Sequence, residues 1–241
     1  MRITTARVAL GIRDLSGRDE TGQAALVTMG LDAHHPDLTS AEILDRRDID
    51  LCAVDLPPRV YHAANGLPRD AAQALVRHVT MSATRMAGDE IDELLTEMRS
   101  SGYTIDAVSV AVDETGPDIL STPLADVLSS HTRIHAAENA LYREALATAA
   151  TDRGSAVFRY PSRSIAEAVR TARRLRPDEI AAQLDAWGRL VGTPWRRHHK
   201  DAALAAWLAL AARGDPELTT SREAQVDAAT ESASDSGNRG R

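Results

Sequence analysis

Short apolar runs separated by turn residues dominate the first 60 positions and predict β-strands. Residues 6–13 and 23–30 are two such runs, and the turn-rich stretch between them favours a hairpin with a long loop. Residues 39–42 have the sequence Thr-Ser-Ala-Glu, a capping-box pattern that predicts the start of a short helix. A third apolar run over residues 49–55 ends before two prolines, so a third strand is predicted there.

Helical periodicity begins after residue 70. Residues 70–86 and 88–100 carry apolar positions at helical spacing, and Gly102 ends the second of these predicted helices. Residues 103–113 are rich in valine and apolar on both faces, which is typical of a central strand covered on both sides. The remaining predicted elements are a helix over 132–150, a strand over 156–160 and three helices that begin near Ser164, Pro177 and His198.

This order of elements predicts an α/β fold. The first three strands are expected to form an antiparallel meander, while the last two need helical crossovers and therefore pair in parallel. The result is a mixed five-stranded sheet with helices on both faces, spanning residues 1–214. Residues 215–241 are rich in Ser, Thr, Asp and Glu without periodicity, which predicts a disordered acidic tail.

Composition narrows the classes of protein. The chain has 241 residues, 43% hydrophobic and 26% charged, enough for a substantial core. A single cysteine, Cys52, excludes an internal disulfide and thiolate-rich metal sites. No apolar run reaches the roughly 18 residues of a membrane span, and no leader pattern opens the chain, so a cytoplasmic protein with no membrane partner is expected. Motifs of dinucleotide enzymes, P-loop NTPases, zincins and α/β-hydrolases are absent.

Charge is unevenly distributed along the chain. The net charge is −7, yet residues 153–200 hold eleven basic residues against four acidic ones. Lys200 is the only lysine, so arginine supplies nearly all of the positive charge, a composition typical of high-GC, actinobacterial-like genomes. An acidic half beside a basic strip favours a metal-dependent enzyme acting on a polyanion. The alternative is that the arginine-rich helices are simply solvated.

Carboxylates follow two of the predicted strands and begin the last helix. Asp14 comes after the first strand, Asp113 ends the fourth and Glu114 follows it, and Asp201 lies near the start of the Ala/Leu-rich helix. If these groups converge at one edge of the sheet, they form a site for a divalent cation. The alternative is that they stand at strand ends and a helix N-terminus, where carboxylates are favourable in any case.

Three short motifs resemble those of the RNase H-like superfamily, and within it the RuvC-type Holliday-junction resolvases. Leu10-Gly-Ile-Arg-Asp14 precedes Thr21-Gly22, Ala111-Val-Asp-Glu114 ends the fourth strand, and His198-His-Lys-Asp201 opens an Ala/Leu run. The family keeps its first aspartate where this chain has Arg13. Asp14 can take that role only if the strand ends or bulges before it, because successive strand residues face opposite sides.

The resemblance implies a Mg²⁺-dependent (or Mn²⁺-dependent) endonuclease that acts as a homodimer on branched or structured DNA. It implies that Asp14, Asp113 or Glu114, His198 and Asp201 bind the metal. Glu138, on the helix after the fourth strand, is the alternate acid, unless it forms a structural pair with His135. The rival hypothesis is an inactive RNase H-like protein that binds nucleic acid or a protein partner; a small actin-like ATPase ranks last.

An aromatic residue and several cations lie close in sequence to the last motif. Arginine binds phosphate and tryptophan stacks on bases, so these residues are predicted to contact nucleic acid. They are Arg189, Trp195, Arg196, Arg197 and Lys200. The alternative for Trp195 is a hydrophobic anchor of its loop.

Overall fold

Five strands and seven helices are formed by the described residues of this computed structural model, which are 7–15, 21–31, 41–112, 119–161 and 164–212. The strands are β1 (Arg7–Leu15), β2 (Gln23–Leu31), β3 (Glu42–Asp50), β4 (Thr104–Val112) and β5 (Ala156–Pro161). The helices are α1 (Val60–Ala64), α2 (Arg69–Ser100), α3 (Leu124–Leu128), α4 (His131–Asp152), α5 (Ile165–Arg173), α6 (Pro177–Val191) and α7 (Arg197–Ala212). A short 3₁₀ helix spans Ile119–Ser121.

The strands form one mixed sheet in the order β3-β2-β1-β4-β5. The pairs β1/β2 and β2/β3 are antiparallel, while β4 pairs in parallel with both β1 and β5. This arrangement confirms the predicted fold class, including the meander and the covered central position of β4. Because β1 and β4 run in the same direction, their carboxyl ends lie at the same edge of the sheet.

The two faces of β1 contact different helices. Val8, Leu10 and Ile12 belong to the large apolar cluster that contains α2 and α4. On the other face, a Cβ built on Gly11 would lie 1.8 Å from the backbone oxygen of Ala202, so α7 packs directly against the strand backbone. Glycine at position 11 therefore brings the first turns of α7, including Asp201, close to the sheet.

The α5–α7 side has its own apolar cluster. Its largest members are Trp187 of α6 and Trp207 of α7, whose rings meet edge to face with centroids 5.1 Å apart. The indole Nε1 of Trp187 donates a hydrogen bond to the carbonyl oxygen of Ala41, 3.0 Å away, just before β3. This contact fixes α6 against the strand at the edge of the sheet.

The bounds predicted from the sequence were wrong for several elements. The third strand runs over Glu42–Asp50 rather than 49–55, so Glu42 begins a strand and not a helix. This is a half-buried edge strand with several charged residues, and the apolar pattern therefore missed it. Residues 70–100 belong to one helix, α2, and the short helices α1 and α3 were not predicted.

Some predictions fall outside the described residues. Asp113, Glu114 and the tail 215–241 are among them, as are Thr39 and Ser40 of the capping-box pattern. None of the helices within the described ranges combines the length and apolar character needed to cross a bilayer.

Candidate functional site

An arginine lies between the two described carboxylates at the end of β1. The guanidinium Nη1 of Arg13 lies 3.2 Å from Oδ1 of Asp14, and its Nε lies 3.7 Å from Oδ2 of Asp201. The Arg13 side chain is only 17% exposed, so this contact is made largely away from solvent. One half-buried cation therefore joins acids that are 187 positions apart in the chain.

The path of β1 explains why the two acids do not face each other. The strand continues to Leu15, where it still pairs with Gln23 of β2, and its pairing with β2 is regular at Arg13 and Asp14. Because side chains alternate along a strand, Arg13 faces α7 and Asp14 faces α4. The break before Asp14 that a shifted aspartate ligand requires is not present.

Asp14 is paired with a second arginine on its own face of the sheet. Nε of Arg143, from α4, donates to Oδ1 of Asp14 over 3.0 Å. The two side chains are 4% and 7% exposed, so this is a buried ion pair. A carboxylate removed from water in this way depends on its cationic partners, because an unpaired buried charge costs several kcal/mol.

Asp201 lies one turn inside α7 rather than at its first residue. Its side chain is 15% exposed, and Oδ2 lies 3.8 Å from Nε of Arg197 as well as close to Arg13. Burial raises the pKa of Asp201, while the charges of Arg13 and Arg197 oppose that shift. The nearby ring of Tyr160 is buried, its hydroxyl donates to the carbonyl oxygen of Ile12 over 2.9 Å, and burial raises its pKa.

The described residues at this edge do not fit a divalent cation. A hard cation such as Mg²⁺ is held by carboxylate oxygens that are free to coordinate it, whereas Asp14 and Asp201 each face a guanidinium. Neither acid belongs to the two groups of three potential ligand atoms within 4.8 Å of one another that the described residues form. Since Asp113 and Glu114 lie outside the described ranges, metal ligation by this set of acids stays a prediction.

His198, the other expected ligand, lies close to β3. Its Nε2 lies 3.8 Å from Oδ1 of Asp48, and its ring packs edge to face on His199. Nε2 of His199 is 2.8 Å from the same oxygen, and its Nδ1 accepts a hydrogen bond from the backbone N–H of Arg196. These contacts require His199 to carry its proton on Nε2, so the ring donates to Asp48 and connects α7 with β3.

The residues predicted to contact nucleic acid divide into two groups. Arg189, Arg196 and Arg197 are exposed and Lys200 is half-buried. Trp195 packs against the α5–α7 apolar cluster, donates from Nε1 to the carbonyl oxygen of Leu184 over 2.9 Å and stacks on His199. The indole of Trp195 therefore anchors its loop, and the exposed arginines of this set are accessible to a ligand in solution.

Glu138 is directed to α1 and not to the edge of β1. Its Oε1 accepts hydrogen bonds from the backbone N–H of His62 at 3.1 Å and lies 2.8 Å from Nδ1 of the same residue. Its Oε2 lies 3.7 Å from Nε of Arg59 and 4.0 Å from Nδ1 of His135. The carboxylate is 3% exposed, so Glu138 is a buried link between α4 and α1.

Sequence reasoning missed several residues of these clusters. Arg143 and Asp48 gave no signal, because their partners are 129 and 151 positions away. His135 is predicted only as a partner of Glu138, although its four-residue spacing from His131 places both histidines on one face of a helix. Asp55, the last residue of the third predicted strand, is an exposed turn residue outside any strand.

Comparison with solved structures identifies the fold. The chain is similar to RuvC of Thermus thermophilus in complex with a Holliday junction substrate, at 15% identity and a TM-score of 0.50, covering 86% of this chain and 95% of that one. A second T. thermophilus RuvC structure matches at 15% identity, the same coverage and a TM-score of 0.47. No family model matches the sequence, and neither does any curated protein. The chain has the RNase H-like fold seen in RuvC.

Proposed function

We propose that this chain is an RNase H-like module that binds branched or structured nucleic acid without metal-dependent cleavage. The fold is that of a nuclease, but fold alone does not determine activity, which depends on the groups at the site. The proposal rests on the contacts of Arg13 with Asp14 and Asp201.

A guanidinium in contact with both Asp14 and Asp201 supports a non-catalytic role. Two-metal hydrolysis of a phosphodiester requires carboxylates that are free to hold cations between them. Here Arg13 supplies a fixed positive charge. The ion pair with Arg143 holds Asp14 on the face of the sheet opposite to α7. An arginine beside an acidic edge can bind a phosphate by hydrogen bonds, but it does not activate a water molecule as a metal does.

The arginine-rich second half of the chain supports binding to a polyanion. Residues 153–200 carry the excess of basic residues. Arg189, in the last turn of α6, is exposed, as are Arg196 and Arg197 at the start of α7. The T. thermophilus protein of the same fold was solved with a Holliday junction. A four-way DNA junction is therefore the first ligand to test.

The experiment measures binding and cleavage of a labelled four-way junction with the same full-length protein. We expect fluorescence anisotropy to show binding that weakens as salt rises, with no cleavage in Mg²⁺ or Mn²⁺ by either the parent or Asp201→Asn. Arg189→Gln combined with Arg197→Gln should lower the affinity and the salt dependence. Arg85→Gln, at an exposed position of α2, is the matched control and should leave both unchanged.

A Mg²⁺-dependent endonuclease is the competing function, favoured by the nuclease fold itself. Cleavage by the parent that Asp201→Asn abolishes would establish this function and overturn the non-catalytic one. If the protein binds neither RNA nor any of the three forms of DNA (junction, duplex and single-stranded), a module that binds a protein partner is the remaining function.

We also propose that the protein is a homodimer, as the resemblance to RuvC-type resolvases implies. Light scattering behind a sizing column should give twice the chain mass of 25.9 kDa. A mass of one chain at micromolar concentration would contradict this assembly.

A further inference from the structure

Three histidines meet between α1 and α4, away from the Arg13 contacts. His62 comes from α1, while His131 and His135 lie one turn apart at the start of α4. One ring nitrogen of each histidine lies within 4.8 Å of the other two. The rings pack edge to face in all three pairs, with centroids 4.5 to 5.2 Å apart.

The separation of the ring nitrogens matches the geometry of a chelated metal. Nε2 of His131 and Nε2 of His135 are 3.1 Å apart. Two nitrogens bound to one tetrahedral Zn²⁺ at about 2.0–2.1 Å are about 3.3 Å from each other. The i, i+4 spacing on a helix brings both rings to this position without distortion of the backbone.

Glu138 gives His62 the orientation of a metal ligand. Its buried carboxylate lies 2.8 Å from Nδ1 of His62, so that nitrogen carries the proton and Nε2 keeps its lone pair. A carboxylate on the far nitrogen is the usual support of a metal-binding histidine, because it fixes the tautomer and the ring. The contact between Glu138 and His62 supports a metal site independently of the distances between the three histidines.

We infer that His62, His131 and His135 form a binding site for a divalent transition metal such as Zn²⁺, which links α1 to α4. Imidazole nitrogen is a ligand that Zn²⁺ prefers and that Mg²⁺ does not. His131 is exposed and the side chain of His135 is 46% exposed, so a fourth position on the ion is open to water. The site lies about 12 Å along α4 from Arg143, at a rise of about 1.5 Å per residue.

Arg59 competes with a cation at this position. Its Nη2 lies 3.4 Å from Nε2 of His62 and 3.4 Å from Nδ1 of His135. Because the side chain is 34% exposed, it can turn towards solvent when an ion binds. Loss of this positive charge should therefore strengthen metal binding.

The test is a Zn²⁺ titration of the full-length protein, without an affinity tag, against a chromophoric chelator. We expect one equivalent bound by the parent, a raised melting temperature with Zn²⁺, and a tetrahedral visible spectrum with Co²⁺. His135→Gln and His131→Gln should abolish the binding, and Glu138→Gln should lower affinity 10- to 100-fold. His78→Gln, an exposed histidine of α2, and His199→Gln should bind Zn²⁺ as the parent does.

The outcomes separate a metal site from a hydrogen-bonded cluster of histidines. Circular dichroism first establishes that the variants keep their helices, which is expected because His131 is exposed and the side chain of His135 is about half exposed. Tighter binding by Arg59→Gln supports the competition, and an unchanged affinity overturns that role of Arg59. No stoichiometric binding by the parent, or equal binding by His135→Gln, overturns the site.

Discussion

The buried carboxylate of Asp14 lies 3.0 Å from the guanidinium of Arg143, with both side chains less than one tenth exposed. The pair joins the end of β1 to the fourth turn of α4, across the face of the sheet that carries the larger apolar cluster. It removes Asp14 from the face that Asp201 occupies. This placement makes Asp14 a structural residue in our interpretation.

Arg143→Met should destabilise the fold by about 3–5 kcal/mol, because it leaves a buried carboxylate without its nearest cation. Asp14→Asn combined with Arg143→Met should cost less than the sum of the two single changes, since the residues are coupled. Urea unfolding measures each value. Arg159→Met, which breaks the half-exposed pair with Glu144, is the control and should cost about 0–1 kcal/mol. Equal losses for the two arginines would contradict a buried structural pair.

Gly11→Ala should destabilise the protein by about 1–3 kcal/mol or more, because the added methyl group meets the backbone of Ala202. Thermal unfolding provides the measurement. Gly88→Ala is the matched control, since the nearest atoms there belong to the flexible end of Arg153 and alanine favours the helix. If Gly11→Ala leaves the stability unchanged, α7 can move away from β1 without loss of stability.

Arg13→Asp should create a response to Mg²⁺ that the parent lacks. The substitution puts a carboxylate on the α7 face of β1, close to Asp201, and removes the cation between the acids. We expect the melting temperature of Arg13→Asp to rise with millimolar Mg²⁺, while Arg13→Asn, which has no charge, does not respond. A Mg²⁺ response in the parent of the same size would show that Arg13 does not exclude the ion.

Asp201 should make stability fall as pH rises above about 4. Burial raises the pKa of Asp201 in the folded protein, so the native state holds this proton where the unfolded state has lost it. The contribution is greatest below the unfolded pKa of about 3.9 and is lost as pH rises through the higher folded pKa. Asp201→Asn should remove this slope from the free energy of unfolding as pH rises from about 4.

Asp92 is the internal control for that measurement, with the opposite sign. A hydrogen bond from Arg153 lowers the pKa of Asp92, so its contribution is present above the unfolded pKa and is lost as pH falls. Asp92→Asn should therefore reduce the rise of the free energy of unfolding with pH at low pH. The same change of slope in both variants would contradict the buried environment of Asp201.

The fold could be predicted from the sequence because its signals are local. The valine-rich β4 and the glycine in β1 mark a covered central sheet, and strand alternation alone places Arg13 and Asp14 on opposite faces. The position of β3 could not be predicted, because an edge strand tolerates charges such as Asp45 and Arg47 that weaken the apolar pattern.

The contacts of the site depend on long-range packing, which local sequence patterns do not indicate. Arg143 reaches Asp14 only because α4 crosses the sheet next to β1, and His199 reaches Asp48 only because β3 is the edge strand beside α7. Spacing could have indicated His131 and His135, but nothing near His62 shows that α1 brings a third imidazole to them.

All three tryptophans of the chain lie in the layer formed by α6, α7 and the segment that joins them. Intrinsic indole emission is consequently a probe of one side of the sheet, whereas far-ultraviolet ellipticity averages over every helix. If the layer detaches before the rest of the domain, the two signals will have different denaturation midpoints. Coincident curves would show that both sides of the sheet unfold as one cooperative unit.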